Sequence, residues 1–321
     1  MSVWRKIGRV AAWVVGIVLA LVLVLAAFLA ISVALDRRGS AERLDSVANT
    51  TIPGDGGPAV RAYIATPSTP GPHPVVVMIH EFWGLNPDIV SEADLLAEEG
   101  YLVVAPDAFR GNTTGYVPSA IYQVISTPAE QVNEDLDSVV AWLSTQPAAD
   151  PSRIGIVGFC FGGRSSLLYS LHNPTLQATA IFYGEPVTDP ARLTRLEGPV
   201  LGIFGGADAS IPLKNVETFR AALVEAGVES TVTVYPDQPH AFVENAEGIQ
   251  SEPAQAAAWA EMLGFFRDAM QTPITQSEEP EAAPGIAPSF AGDFYGLVPV
   301  LRLAVGHSGH GHGSPWDGWM Q

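Results

Sequence analysis

Hydrophobic and polar positions follow two regimes along the chain. From Val10 to Leu35 runs a stretch of 26 residues without a charge. At 1.5 Å per residue such a helix is about 39 Å long, more than the ~30 Å hydrocarbon core of a bilayer requires. Beyond a polar stretch that turns Gly/Pro-rich, short apolar runs take over at 59–65, 75–79, 102–105, 154–157, 178–183, 200–204 and 231–235, each bounded by Gly, Pro or polar residues. Runs of this kind predict buried strands. Helix-compatible segments lie between most of them, at 88–99, 129–143, 162–171, 213–226 and 253–270. Alternating strands and helices predict an α/β fold, a mostly parallel central sheet covered on both faces, with any chemistry at the carboxyl ends of the strands.

The same pattern divides the chain into an N-terminal flank (1–9), a transmembrane anchor (10–35), a tether (36–57), a folded domain (58–270) and a largely disordered tail (271–321). A secretory signal has an apolar region of about 7–15 residues, so an uncleaved anchor is expected even though Ser32-Val33-Ala34 resembles a cleavage site. Trp4 and Trp13 suit the interfacial belt at the start of such a helix. Three basic residues flank the run on each side: Arg5, Lys6 and Arg9, then Arg37, Arg38 and Arg43. The first flank lacks acids, which favours a cytoplasmic N-terminus and an extracytoplasmic domain on a single-pass chain.

Charge changes the picture next. Formal net charge is −18, and because residues 1–45 hold six Lys/Arg against three Asp/Glu, the remainder carries −21. A nucleic-acid partner is excluded, since phosphate binding needs a basic footprint. The single cysteine, Cys160, rules out an intramolecular disulfide and a Cys-rich zinc site. No cofactor or metal is expected; His307, His310 and His312 among the tail glycines read as solvated rather than ligating. The apolar piece 294–305 has no assignable partner, and oligomeric state is not legible.

The chemistry centres on Ile154-Gly155-Ile156-Val157-Gly158-Phe159-Cys160-Phe161-Gly162-Gly163-Arg164, an apolar strand passing through Gly-x-Cys-x-Gly-Gly into a helix pattern. That is the context of a nucleophile elbow, whose glycines let neighbouring backbone approach. A base and an orienting acid follow in the order such elbows use. Asp208 lies just beyond the strand Val200–Phe204 and its Gly205-Gly206 turn, and His240 lies in the loop after Val232-Thr233-Val234-Tyr235. Asp189 and Asp237 are weaker competitors for the acid, the first at a helix start and the second too near His240. After the strand 75–79, the loop His80-Glu81-Phe82-Trp83-Gly84 stands where a second oxyanion donor belongs, so the amides of Phe161 and Phe82 are the expected pair. His80 reads as a packed strand-end residue.

These motifs, with Ala105-Pro106-Asp107, Phe182-Tyr183-Gly184 and Pro239-His240-Ala241-Phe242, resemble the dienelactone hydrolase family in unbroken order over about residues 45–270. The resemblance implies an α/β-hydrolase fold and a Cys160-His240-Asp208 triad that cleaves a small-molecule ester or lactone through an acyl-cysteine. It also implies that Glu81 contacts the nucleophile at rest and helps activate it, with Trp83, Tyr183, Arg164 and Phe242 near substrate. One position departs: where dienelactone-cleaving members carry an arginine four residues after the histidine, this chain has Glu244, leaving Arg164 and Arg110 as the remaining candidate anion contacts. Two other readings share the fold, an acyltransferase using an acceptor other than water and a membrane-tethered binding protein without turnover.

Overall fold

The computed structural model describes residues 3–270; the expected tail, with its three histidines and the 294–305 piece, lies outside the described residues. Among the described residues, ten α-helices in chain order span Val3–Asp36 (α1), Ser40–Val47 (α2), Pro87–Glu98 (α3), Val117–Ser126 (α4), Ala129–Leu143 (α5), Phe161–His172 (α6), Pro190–Leu193 (α7), Leu213–Glu225 (α8), Ala246–Ser251 (α9) and Pro253–Ala269 (α10). Eight strands span Thr50–Ile52 (β1), Val60–Ala65 (β2), His73–Ile79 (β3), Leu102–Pro106 (β4), Ala149–Phe159 (β5), Ala178–Phe182 (β6), Val200–Gly205 (β7) and Ser230–Tyr235 (β8).

The strands form one sheet in the order β1-β2-β4-β3-β5-β6-β7-β8. Pairings from β4 through β8 are parallel, and β1 and β2 add an antiparallel edge. The inner strands are Val/Ile-rich and buried on both faces, as parallel strands under two helical layers must be. Side chains of α4, α5, α6 and α8 close one face around Val77, Ile79, Ile156 and Phe204. Those of α3, α9 and α10 close the other around Met78, Val103, Val157 and Ile203. Each connection between parallel strands returns across a face, so the ends of β3, β5, β6, β7 and β8 gather at one edge.

The N-terminal part departs from expectation. The predicted tether carries α2 and β1, and no flexible stretch separates α1 from the domain, because a 3₁₀ turn at Arg37–Gly39 leads straight into α2. Buried Ser40 and the Arg43 guanidinium both donate to the carbonyl of Thr113, each at 3.0 Å, tying this segment to the loop after β4. The helix α1 is itself apolar and unburied, with a mean hydropathy of 3.3 over its most apolar window, so it is no core helix of the domain.

Candidate active site

Cys160 stands between β5 and α6 with φ 54° and ψ −111°, a conformation that non-glycine residues rarely hold. Close packing maintains it. A Cβ on Gly158 would run into the carbonyl of Gly162, and one on Gly162 would run into the carbonyl of Ile79 at the end of β3. The Cys160 amide donates to Phe182 O at 3.0 Å and its carbonyl accepts from Arg164 N at 3.2 Å, so the backbone is fastened on both sides.

Asp208, beyond β7, is held through both carboxylate oxygens. Its Oδ1 accepts from the amides of Ser210 at 2.6 Å and Ile211 at 3.0 Å, while Oδ2 lies 2.7 Å from Nδ1 of His240. A carboxylate oxygen accepts, so Nδ1 donates to Oδ2 and Nε2 is the ring nitrogen left for another partner. That Nε2 is buried and has no hydrogen-bond partner. The two side chains are 8% and 1% exposed, so water screens their attraction little. Asp189 instead caps α7, accepting from Ala191 N at 3.0 Å, and Asp237 is exposed.

The β3 loop arrives from the other side. His80 is buried; its Nε2 accepts from Ala108 N at 3.1 Å, so its Nδ1 donates to Glu81 O at 2.7 Å. Burial lowers its pKa to about 4, keeping it a neutral strut, as a packed strand-end residue should be. The amides of Phe82 and Phe161 both hydrogen-bond the Cys160 sulfur. Burial is the main cause that pushes this thiol well above the usual cysteine range, and the nearby Glu81 carboxyl adds to it. Cys160 therefore rests as a thiol, with its sulfur on the two amides rather than on the imidazole.

Glu81 is the other unusual group. Desolvation, with Asp88 and Glu244 adding repulsion, raises its pKa from the ordinary 4.5 to about 8. Its Oε1 is buried without a partner, and its carboxyl also contacts the Tyr183 hydroxyl, which donates to Val243 O at 3.0 Å. Glu92, only 2% exposed on α3, is likewise raised, by burial and then by Glu81 and Asp88. This wall of the site is thus acidic and holds protons.

The remaining expected contacts divide. Trp83 is half-buried, its ring 4.2 Å from that of Phe82. Tyr183 and Phe242, expected against substrate, are buried beside the imidazole; the Tyr183 ring lies 5.2 Å from His240 and 5.8 Å from Phe242. Arg164 donates to Glu185 O at 3.2 Å, and Arg110 pairs with Asp135 at 2.9 Å and Glu134 at 3.2 Å. Arg110 is therefore committed to the scaffold and not to an anion in the site. Sequence reasoning missed Gln123, a buried side chain of α4 that donates to Phe82 O and so fixes the peptide preceding Trp83. The helix had a signal in the apolar spacing Val117, Ala120, Ile121, Val124, Ile125 with Pro118 in its first turn.

The Glu81 shift has a consequence for stability. Folded, Glu81 keeps its proton up to about pH 8, whereas unfolded it releases it near 4.5, so the folded state binds more protons in between and loses stability as pH climbs through that window. Glu81→Gln removes this contribution. The variant's Tm, measured by calorimetry from pH 5 to pH 9, should gain steadily on wild type as pH rises; a constant offset would contradict the raised pKa.

Comparison with known proteins agrees with this geometry. Residues 60–270 match the model of the dienelactone hydrolase family. A Salmonella typhimurium protein bearing the name carboxymethylenebutenolidase is 36% identical over 231 residues, 68% of this chain and 85% of its own length. An Escherichia coli K12 protein of the same name is 37% identical over 235 residues, with 68% and 85% covered. A Klebsiella pneumoniae crystal structure bearing the name dienelactone hydrolase superposes with a TM-score of 0.62 at 36% identity, covering 68% of this chain and 96% of that one. A dienelactone hydrolase-like promiscuous phosphotriesterase from metagenomic libraries shares the fold, with a TM-score of 0.60 at 22% identity over 68% of this chain and 97% of that one. An α/β-hydrolase sheet, a cysteine elbow at its carboxyl edge and these matches lead to one conclusion: the chain belongs to the dienelactone hydrolase family.

Proposed function

We propose that this chain hydrolyses a carboxylic ester or lactone through an acyl-enzyme on Cys160, with His240 as base and Asp208 as the group that orients it. The observation carrying this reading is the buried, unpaired Nε2 of His240, fixed as a proton acceptor by the 2.7 Å contact of Nδ1 with Asp208. In the first half-reaction the substrate carbonyl oxygen takes the amides of Phe82 and Phe161, and the sulfur moves off them towards Nε2. The thiol proton passes to Nε2 as sulfur attacks the carbonyl carbon. The tetrahedral intermediate then collapses, the C–O bond breaks and the alkoxide leaves with that proton, leaving a thioester. Water gives a proton to Nε2, adds to the thioester and releases the acid as the thiol reforms. Oxyanion donors of this kind are each typically worth about 3 kcal/mol in the transition state.

Glu81 belongs in this scheme as a proton reservoir beside the sulfur. At neutral pH its carboxyl is protonated, so no carboxylate opposes the negative charge that develops on sulfur during attack. The substrate has no free carboxylate near the scissile bond. Asp88 and Glu244 bring negative potential to this wall and help to keep the proton on Glu81, so an anionic group bound beside Glu81 would be repelled by them. The same proposal includes a membrane anchor formed by α1, supported by its length and unburied apolar surface, with an N-terminus in the cytoplasm and the catalytic domain outside.

Two outcomes follow. Cys160→Ala should lower kcat/KM for p-nitrophenyl acetate by roughly 10³-fold or more with an unchanged Tm; retained turnover would remove Cys160 as nucleophile. Glu244→Arg should raise kcat/KM for a carboxylate-bearing ester, relative to its neutral methyl ester, by about fivefold, a modest figure because Glu244 is exposed. An unchanged ratio in that competition assay would show that Glu244 does not shape selectivity.

A further inference from the structure

We infer that the mouth of the site is turned towards the bilayer and receives uncharged esters or lactones dissolved in it; this rests on the reading of α1 as a membrane anchor. The junction between anchor and domain is a lock. Thr114 Oγ1 donates to Asp36 Oδ2 at 2.6 Å, Arg43 Nη2 reaches Asp36 Oδ1 at 3.2 Å and Thr113 O at 2.7 Å, and Arg37 Nε donates to Asn112 Oδ1 at 3.0 Å. One turn earlier, Ser32 Oγ and the Tyr116 hydroxyl lie 3.1 Å apart. Bonds from α1, the 3₁₀ turn and α2 to four residues of the 112–116 loop leave the domain little freedom to swing about the end of α1.

The lock also sets a level. Ser32 belongs to the last turn of the uncharged run that ends at Leu35, and Asp36, Arg37 and Arg38 are the first charges beyond it. The hydroxyl of Tyr116 therefore stands at the boundary between hydrocarbon and headgroups, where tyrosine is favoured. The Arg37 guanidinium lies 5.4 Å from the ring centre of Tyr122 on α4, and Tyr122 and Ile125 expose 47% and 38% of their surface beside it.

The lock sits on the catalytic edge of the sheet. The 112–116 loop follows β4, whose carboxyl end lies beside that of β3, the strand that separates it from β5 in the parallel sheet. Thr114 N donates to Trp83 O at 2.9 Å and Thr113 Oγ1 to the same oxygen at 3.2 Å. Gly84, at φ 90°, has no room for a Cβ against Asn112 and Thr113. Phe82, which precedes Trp83, supplies an amide to the Cys160 sulfur. A short series of contacts thus links the nucleophile to the end of the apolar run: sulfur to Phe82, Trp83 to Thr114, Thr114 to Asp36. A bilayer reached from this side lies over the edge that carries Cys160, Asp208 and His240. The acidic wall disfavours anionic guests, which leaves neutral lipophilic esters and lactones as the class such an opening serves.

The test uses the full chain in phosphatidylcholine vesicles. In a Cys160→Ala background, Tyr122→Cys or Val224→Cys carries a fluorophore, Val224 being an exposed residue at the end of α8 that leads into the amino end of β8. Headgroup-level doxyl lipid should quench position 122 and leave position 224 bright. In parallel, a flexible Gly-Ser insert between Leu35 and Asp36 frees the span while Asp36, Ser40 and Arg43 stay docked. That variant should keep wild-type hydrolysis of p-nitrophenyl acetate and lose most of its hydrolysis of vesicle-borne p-nitrophenyl laurate. Equal fluorescence at the two positions in floating vesicles, or an insert variant as active on laurate as wild type, overturns the inference. A chain that does not float with the vesicles overturns it through the anchor reading, and a wild type inactive on acetate overturns it through the hydrolase reading.

Discussion

Steric compression where β5 turns into α6 governs the rest of the structure. The backbone at Cys160 is held at positive φ because Gly158 and Gly162 let two carbonyls, of Gly162 and Ile79, occupy space that any Cβ would fill. That close approach brings the end of β3 against the start of α6. It is also what sets the amides of Phe82 and Phe161, which belong to different elements, on a common sulfur. Looser packing would leave one amide out of reach. Strain at a functional residue persists only where its surroundings over-determine it, and here they do so through three strands and a helix.

Electrostatics at the site runs against what a reactive cysteine first suggests. A helix N-terminus favours a thiolate, yet burial and the Glu81 carboxyl outweigh it and the thiol keeps its proton. The same desolvation keeps protons on Glu81 and Glu92. The site thus pairs protonated acids with a thiol, whereas the thiolate is the reactive form of cysteine.

Much of this was legible in the amino-acid order. Gly-x-Cys-x-Gly-Gly after an apolar strand has few other uses, and Asp208 and His240 each followed a strand whose burial pattern was plain. The family resemblance supplied what pattern alone left open, the place of Glu81. Less legible were features made by partners far apart in the chain. The Asp36–Thr114 bond joins residues 78 positions apart and leaves no periodic trace, so 36–57 read as a tether although it carries α2 and β1. Helix α4 had an apolar repeat, but the Gly and Thr before it and the Thr-Pro after it obscure its ends. Arg110 looked free because its partners Glu134 and Asp135 lie on α5. For Tyr183 and Phe242, an aromatic residue after a strand reads alike whether it lines a cavity or packs behind one, and both side chains are buried.

The most direct measurement is rapid-quench mass spectrometry of the wild-type chain mixed with an activated ester. The expected result is a transient mass increase equal to one acyl group, carried by the peptide that contains Cys160 and released by hydroxylamine as a thioester would be. Steady turnover with no acyl group on that peptide at any quench time, or with the group on another residue, would contradict the covalent role of Cys160.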